Sequence, residues 1–130
     1  GDAAVGILTD TGFVPEPAAA ALTGVDLLVL ESNHDVEWLR SGPYPYSLKQ
    51  RILGQRGHLS NEDAAAFARR MAECGTRCIV LAHLSRENNT PQRALAVMET
   101  ALSGLDVTVE VAPRGELSAC YGAEVALCRK

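Results

Sequence analysis

The sequence is most informative first in what it lacks. No apolar run approaches the roughly 20 residues that a membrane-crossing helix needs, and no basic-then-apolar leader precedes the first polar turn. Neither a membrane span nor an export signal is therefore expected. The chain starts at Gly1 rather than methionine, which suggests a processed start or a piece of something longer. The 4 cysteines, Cys74, Cys78, Cys120 and Cys128, contain no C-x-x-C pair. That argues against a zinc ribbon or a thioredoxin-like site and suits thiols in a reducing cytosol. With a net charge of -4 the whole chain is not built as a nucleic-acid binder. Acidic residues are absent from one stretch, however. Between Arg40 and His58 stand Arg40, Lys49, Arg51 and Arg56 with no Asp or Glu. A local cationic strip on an acidic protein fits a partner that carries phosphate.

What is present suits a single domain. The chain has 130 residues, 47% of them hydrophobic, enough for a sizeable core. Val5 to Thr9, Asp26 to Leu30 and Cys78 to Ala82 are short apolar runs that read as buried strands, and Val107 to Val111 reads as a fourth. A last strand is expected over Glu124 to Cys128. Helical spacing predicts a helix over Ala18 to Leu22, a short one capped by Asp35, and one starting at Ser47 with Leu48, Ile52 and Leu53 inside. It predicts another from Asn61 to about Cys74 behind Ser60, and one after Thr90-Pro91 with Leu95, Met98 and Leu102 as its buried stripe. Strands alternating with helices imply an α/β layered domain. Gly42-Pro43-Tyr44-Pro45-Tyr46 reads as loop.

Three of the strands end in chemistry. The first runs into Asp10, the second into Glu31, Ser32, Asn33, His34 and Asp35, and the third into His83. The carboxyl edge of such a sheet is where α/β domains place ligands. Histidine and carboxylate together suit a divalent metal such as zinc or manganese. Each of Asp10, His34 and His58 also has an ordinary local reading as a turn or capping residue.

Six ordered motifs resolve that ambiguity. Thr9-Asp10-Thr11-Gly12, Glu31-Ser32-Asn33-His34-Asp35, Gly42-Pro43-Tyr44-Pro45, Leu48-Lys49-Gln50-Arg51-Ile52, Gly57-His58-Leu59-Ser60-Asn61 and Ala82-His83-Leu84-Ser85-Arg86-Glu87-Asn88-Asn89 occur in this order. Together they resemble the second half of a metallo-β-lactamase-fold hydrolase of the YycJ/WalJ type, related to RNase Z. The resemblance covers essentially the whole chain and is weakest over the last fifteen or so residues.

The resemblance implies the second half of an αββα sandwich with two divalent ions, zinc or manganese, at one edge. It implies that Asp10 bridges the ions, that His83 binds one, and that His58 contacts the scissile phosphate and assists the leaving group. Two metals roughly 3.5 to 4 Å apart would bring the pKa of a bridging water toward about 7. His34, Lys49, Arg51, Arg56, His58, Ser85 and Asn88 are expected on the substrate side. The family's His-x-His-x-Asp-His motif and a further metal-binding histidine are not in this sequence, whose 3 histidines are His34, His58 and His83. The chain is thus expected to be a C-terminal half, inactive alone, whose missing N-terminal half supplies the other ligands. The expected activity of the whole is cytoplasmic, metal-dependent phosphodiester hydrolysis, of a DNA exonuclease kind. Two alternatives stay open: hydrolysis of a small ester or thioester on the same fold, and a non-catalytic module that docks on a partner. Four unopposed cations argue against the small neutral ester. Oligomeric state is not legible.

Overall fold

The computed structural model describes residues 3–113. Four strands, β1 (Val5–Leu8), β2 (Leu27–Glu31), β3 (Cys78–Ala82) and β4 (Thr108–Val111), form one sheet in chain order. All three pairings are parallel, with Leu8 opposite Leu30 and Glu31 opposite Ala82. The crossovers hold α1 (Glu16–Leu22), then α2 (Val36–Ser41), α3 (Tyr46–Leu53) and α4 (Asn61–Glu73), then α5 (Pro91–Ala101). The expected strand at Glu124 to Cys128 lies outside the described residues.

The order follows from the sequence pattern. Parallel strands are buried on both faces, so their runs are continuously apolar rather than alternating, and all five residues of β2 are buried. Each crossover steps one strand further in the same direction. Crossovers of one hand then stack their helices on one face. That face holds the main core: Leu28, Leu30, Ile79 and Leu81 of the sheet meet Phe67 and Met71 of α4, Met98 of α5 and Ala19 of α1. On the other face Leu27, Val29, Val80 and Ala82 form a second buried cluster, while Ile7 is exposed.

The helix starts use the side chains expected of them. Ser60 Oγ accepts from the Asp63 N–H at 3.0 Å, Thr90 Oγ1 from Arg93 N–H at 3.1 Å, and Asp35 Oδ1 from Trp38 N–H at 2.9 Å. Gly75 and Gly104 follow the ends of α4 and α5 with φ of 107° and 83°, a region that glycine enters without Cβ strain. Helix α3 departs from expectation. It starts at Tyr46, with Pro45 rather than Ser47 in the capping position. Proline fixes φ and cannot donate, so it sits at a helix start at little cost. None of the α3 residues is buried, and Leu48, Ile52 and Leu53 are only half-covered. This helix lies on the rim, where both of its sides are open.

Candidate active site at the strand ends

The carboxyl ends of β1, β2 and β3 converge. Asp10 follows β1 by two residues, Glu31 is the last residue of β2, and His83 is the first after β3. Ligand atoms of the three lie within 4.8 Å of one another. His83 Nδ1 is 3.5 Å from Asp10 Oδ1 and 3.8 Å from Glu31 Oε1. Asp10 and His83 both have left-handed backbones, with φ of 61° and 57°, and no other non-glycine described residue does. Such conformations cost of order 1–3 kcal/mol and persist where surrounding structure enforces them, commonly at functional sites. Here the enforcement is visible. Asn33 Nδ2 donates to the His83 carbonyl at 2.8 Å, and Ser85 N–H donates to the Asn33 carbonyl at 2.7 Å. Asp10 N–H donates to Glu31 Oε1 at 2.5 Å.

Glu31 is the centre of the group and is fully buried. Its second oxygen, Oε2, meets His58 Nδ1 at 2.5 Å. Burial pushes the Glu31 carboxyl up, and the Asp10 N–H, His58 and His83 only partly offset it. One carboxylate therefore joins the strand-end pair to His58. The His58 segment is itself tightly held. His58 N–H donates to the Ile52 carbonyl at 3.1 Å, and a Cβ on Gly57 would collide with that carbonyl. Gly12 N–H donates to the Gln55 carbonyl at 3.0 Å, and a Cβ on Gly12 would collide with Gly54 O. The Asp10 turn and the His58 loop thus brace each other through glycine. Beneath them, Ser32 Oγ donates to Asn61 Oδ1 at 2.6 Å, and the Asn61 and Asn89 amides bond each other at 2.9 Å. This buried network fixes the segments after β2 and β3 to the start of α4.

The other expected substrate residues separate into groups. Arg51, Arg56, His58 and Ser85 line one open cleft of about 440 Å³, together with Tyr44 and Arg86. Lys49 lies on another side of α3, in a groove with Arg40, and its Nζ donates to the Arg40 carbonyl at 2.6 Å. Asn88 is buried, and its N–H donates to Ser85 Oγ at 3.2 Å, so it supports a cleft residue without lining the cleft. His34 is also buried: its Nδ1 faces Asn33 Oδ1 at 3.1 Å, and Nε2 has no hydrogen-bond partner. Sequence reading assigned no role to Glu31, Tyr44, Arg86, Asn61 or Asn89. A carboxylate closing an otherwise unbroken apolar run was the available signal for Glu31.

His34 makes acid stability measurable. Burial, reinforced by the charge of His58 and opposed by Asp63 and Asp35, lowers its pKa from 6.5 to about 4. A depressed histidine pKa contributes stability that is complete above 6.5 and is lost as pH falls toward 4. Its size is about 3 kcal/mol at 1.36 kcal/mol per unit. Glu31, raised by burial, works in the opposite direction, favouring the fold at acid pH. Urea unfolding at pH 7 and pH 4 should show His34→Leu losing less stability on acidification than wild type. An equal loss in both would exclude His34 as the source.

No family model matches the chain. Exodeoxyribonuclease WalJ of Streptococcus pneumoniae serotype 2 is 47% identical over 105 residues, which are 81% of this chain and 39% of WalJ. The chain is similar to the WalJ/YycJ exodeoxyribonucleases. Exodeoxyribonuclease YycJ of Bacillus anthracis is 47% identical over 88 residues, 68% of this chain and 33% of YycJ. The chain thus spans about two-fifths or less of the length of these curated relatives. A solved structure described as a new diphosphatase from the PhnP family, which has the metallo-β-lactamase fold, superposes with a TM-score of 0.50 at 16% identity. It covers 85% of this chain and 32% of that one. At that identity the likeness is one of fold. The α/β half of a metallo-β-lactamase fold expected from the WalJ/YycJ motifs is the fold observed. Among the described residues no helix is long and apolar enough to cross a membrane.

Proposed function

We propose that this chain forms one side of the active centre of a metal-dependent phosphodiester hydrolase acting on DNA as an exonuclease. The observation that carries the reading is the convergence of Asp10, Glu31, His58 and His83 beside a cleft bearing Arg51, Arg56 and Arg86. The two relatives named exodeoxyribonucleases support the substrate class.

The residues fit a divalent ion. Asp10 and His83 carry their ligand atoms on exposed side chains, 3.5 Å apart, at the end of a rigid sheet. An oxygen and an imidazole nitrogen suit zinc or manganese. Glu31 is less suited to ligate, because its oxygens already hold the Asp10 N–H and His58. It orients the ligands from behind, as the partners of metal ligands commonly do. Asp10 and His83 are the residues of this chain that would hold such ions. Two protein ligands do not complete even one four-coordinate shell, so a bound ion would need further ligands beyond Asp10 and His83. Bound divalent ions supply Lewis-acid charge and acidify water at neutral pH.

The chain's own residues do the rest. Arg51, Arg56 and Arg86 present guanidinium groups to backbone phosphates, for which their fork geometry is suited. Ser85 lines the same cleft. His58, with Nδ1 engaged by Glu31, keeps Nε2 for the departing oxygen and gives it a proton as the bond breaks. The setting is a cytoplasmic one. The test uses the complete protein and end-labelled DNA. Stepwise shortening that a chelator abolishes and manganese or zinc restores is expected. Hydrolysis of a small ester or thioester, with DNA untouched, would overturn the reading.

A further inference from the structure

Helix α3 has open space on two sides. The cleft already described takes Leu48, Arg51 and Ile52. A separate groove of about 500 Å³ is lined by Arg40, Tyr46, Lys49, Gln50 and Leu53. The division follows from helix geometry, since successive residues are turned by about 100° and Lys49 and Arg51 cannot share a side. The second groove has a lining unlike an ordinary solvated surface. It holds two cations and no carboxylate, although Glu37 stands 3.9 Å from the Arg40 guanidinium at its margin. Leu53 and Tyr46 supply its apolar lining. Tyr46 is 76% exposed, the most exposed large hydrophobic side chain among the described residues. The Lys49 ammonium is held against the Arg40 carbonyl, so both cations stand in the groove that Tyr46 also lines.

We infer that this groove is a second subsite for the DNA strand, in which a base stacks on Tyr46 and the flanking phosphates meet Arg40 and Lys49. An exposed aromatic ring in a groove that also carries cations is the combination that single-strand binders use, because every base offers a flat π face and every nucleotide a phosphate. The groove and the cleft are both lined by α3, so a strand that crosses this helix would meet both. The inference rests on the nucleic-acid reading of the cleft, and it adds a base-stacking contact remote from the reacting bond. It predicts that the protein grips a length of single strand rather than only its terminal linkage.

The test compares the complete protein and its Tyr46→Ala, Tyr46→Phe and Arg40→Ala variants on a 20-nucleotide single strand and on a dinucleotide-sized phosphodiester. Loss of a stacked base corresponds to roughly a 5- to 150-fold weakening. In Tyr46→Ala, KM for the long strand should rise by that factor relative to KM for the small ester. Tyr46→Phe, which keeps the ring, should restore it. Arg40→Ala should reduce by about 1 the steepness with which long-strand affinity falls with log salt. An unchanged ratio of the two KM values in Tyr46→Ala would overturn the subsite while leaving the hydrolase reading intact. Loss of folding or of activity on both substrates, with no change in the ratio, would show that Tyr46 packs against another part of the protein and would overturn it too. Failure of the wild-type protein to degrade any DNA would instead remove the reading beneath it.

Discussion

His58→Ala should retain its bound metal and lose turnover by about 100- to 10,000-fold, the range for removing a positioned proton donor. The reason is the division of labour in the cluster. His58 sits on a glycine-braced loop with its Nδ1 on Glu31, beside Arg51 and Arg56, and not on a strand end with Asp10. A group that protonates the departing oxygen matters most when that oxygen leaves badly. The loss should therefore be large for a DNA linkage and small for a nitrophenyl phosphodiester, whose leaving group needs no proton. Turnover of both substrates by wild type and His58→Ala checks this. An equal loss on the two would remove His58 from leaving-group chemistry.

Glu31→Gln should cost 10- to 100-fold in activity, as is usual for a partner that orients a functional side chain. Glutamine keeps the volume of glutamate and one acceptor for the Asp10 N–H. It no longer places a carboxylate on His58 Nδ1, so the contact that orients the imidazole is weakened. Glu31→Ala should behave differently. It leaves the part-buried Asp10 N–H and an imidazole nitrogen without their carboxylate partner, which costs stability at or below about 1 kcal/mol for each group because water can reach them. Kinetics and urea unfolding on the two variants separate the effects. Wild-type turnover in Glu31→Gln would show that the short contact with His58 has no part in the reaction.

Much of this arrangement could be read before any coordinates. Continuous apolar runs gave β2 and β3, because strands covered on both faces need no polar alternation. Ser60, Thr90 and Asp35 announced their helices because a capping side chain acts locally, within three residues. The site was partly legible: Asp10 and His83 end their strands and meet. Long-range effects were hidden. Nothing in the composition shows that Glu31 is buried whole and spans from the Asp10 turn to His58, because that depends on the register of three strands. The cationic strip was legible as a run of charge but not in its division, since a helix turns Lys49 and Arg51 to different sides. His34 and Asn88 looked like substrate residues because they stand in polar motifs, yet both are buried in loops that those motifs lock together. Pro45 rather than Ser47 begins α3 because a fixed φ competes well with a side-chain cap at the first turn.

The central claim is that the strand-end pair holds metal while His58 does not. Elemental analysis of the complete protein tests it most directly, on wild type, Asp10→Ala, His83→Ala and His58→Ala purified identically and checked for folding by circular dichroism. The account predicts that Asp10→Ala and His83→Ala lose bound zinc or manganese, while His58→Ala retains the wild-type content. Wild-type metal content in Asp10→Ala and His83→Ala, or a loss in His58→Ala as complete as theirs, would contradict it.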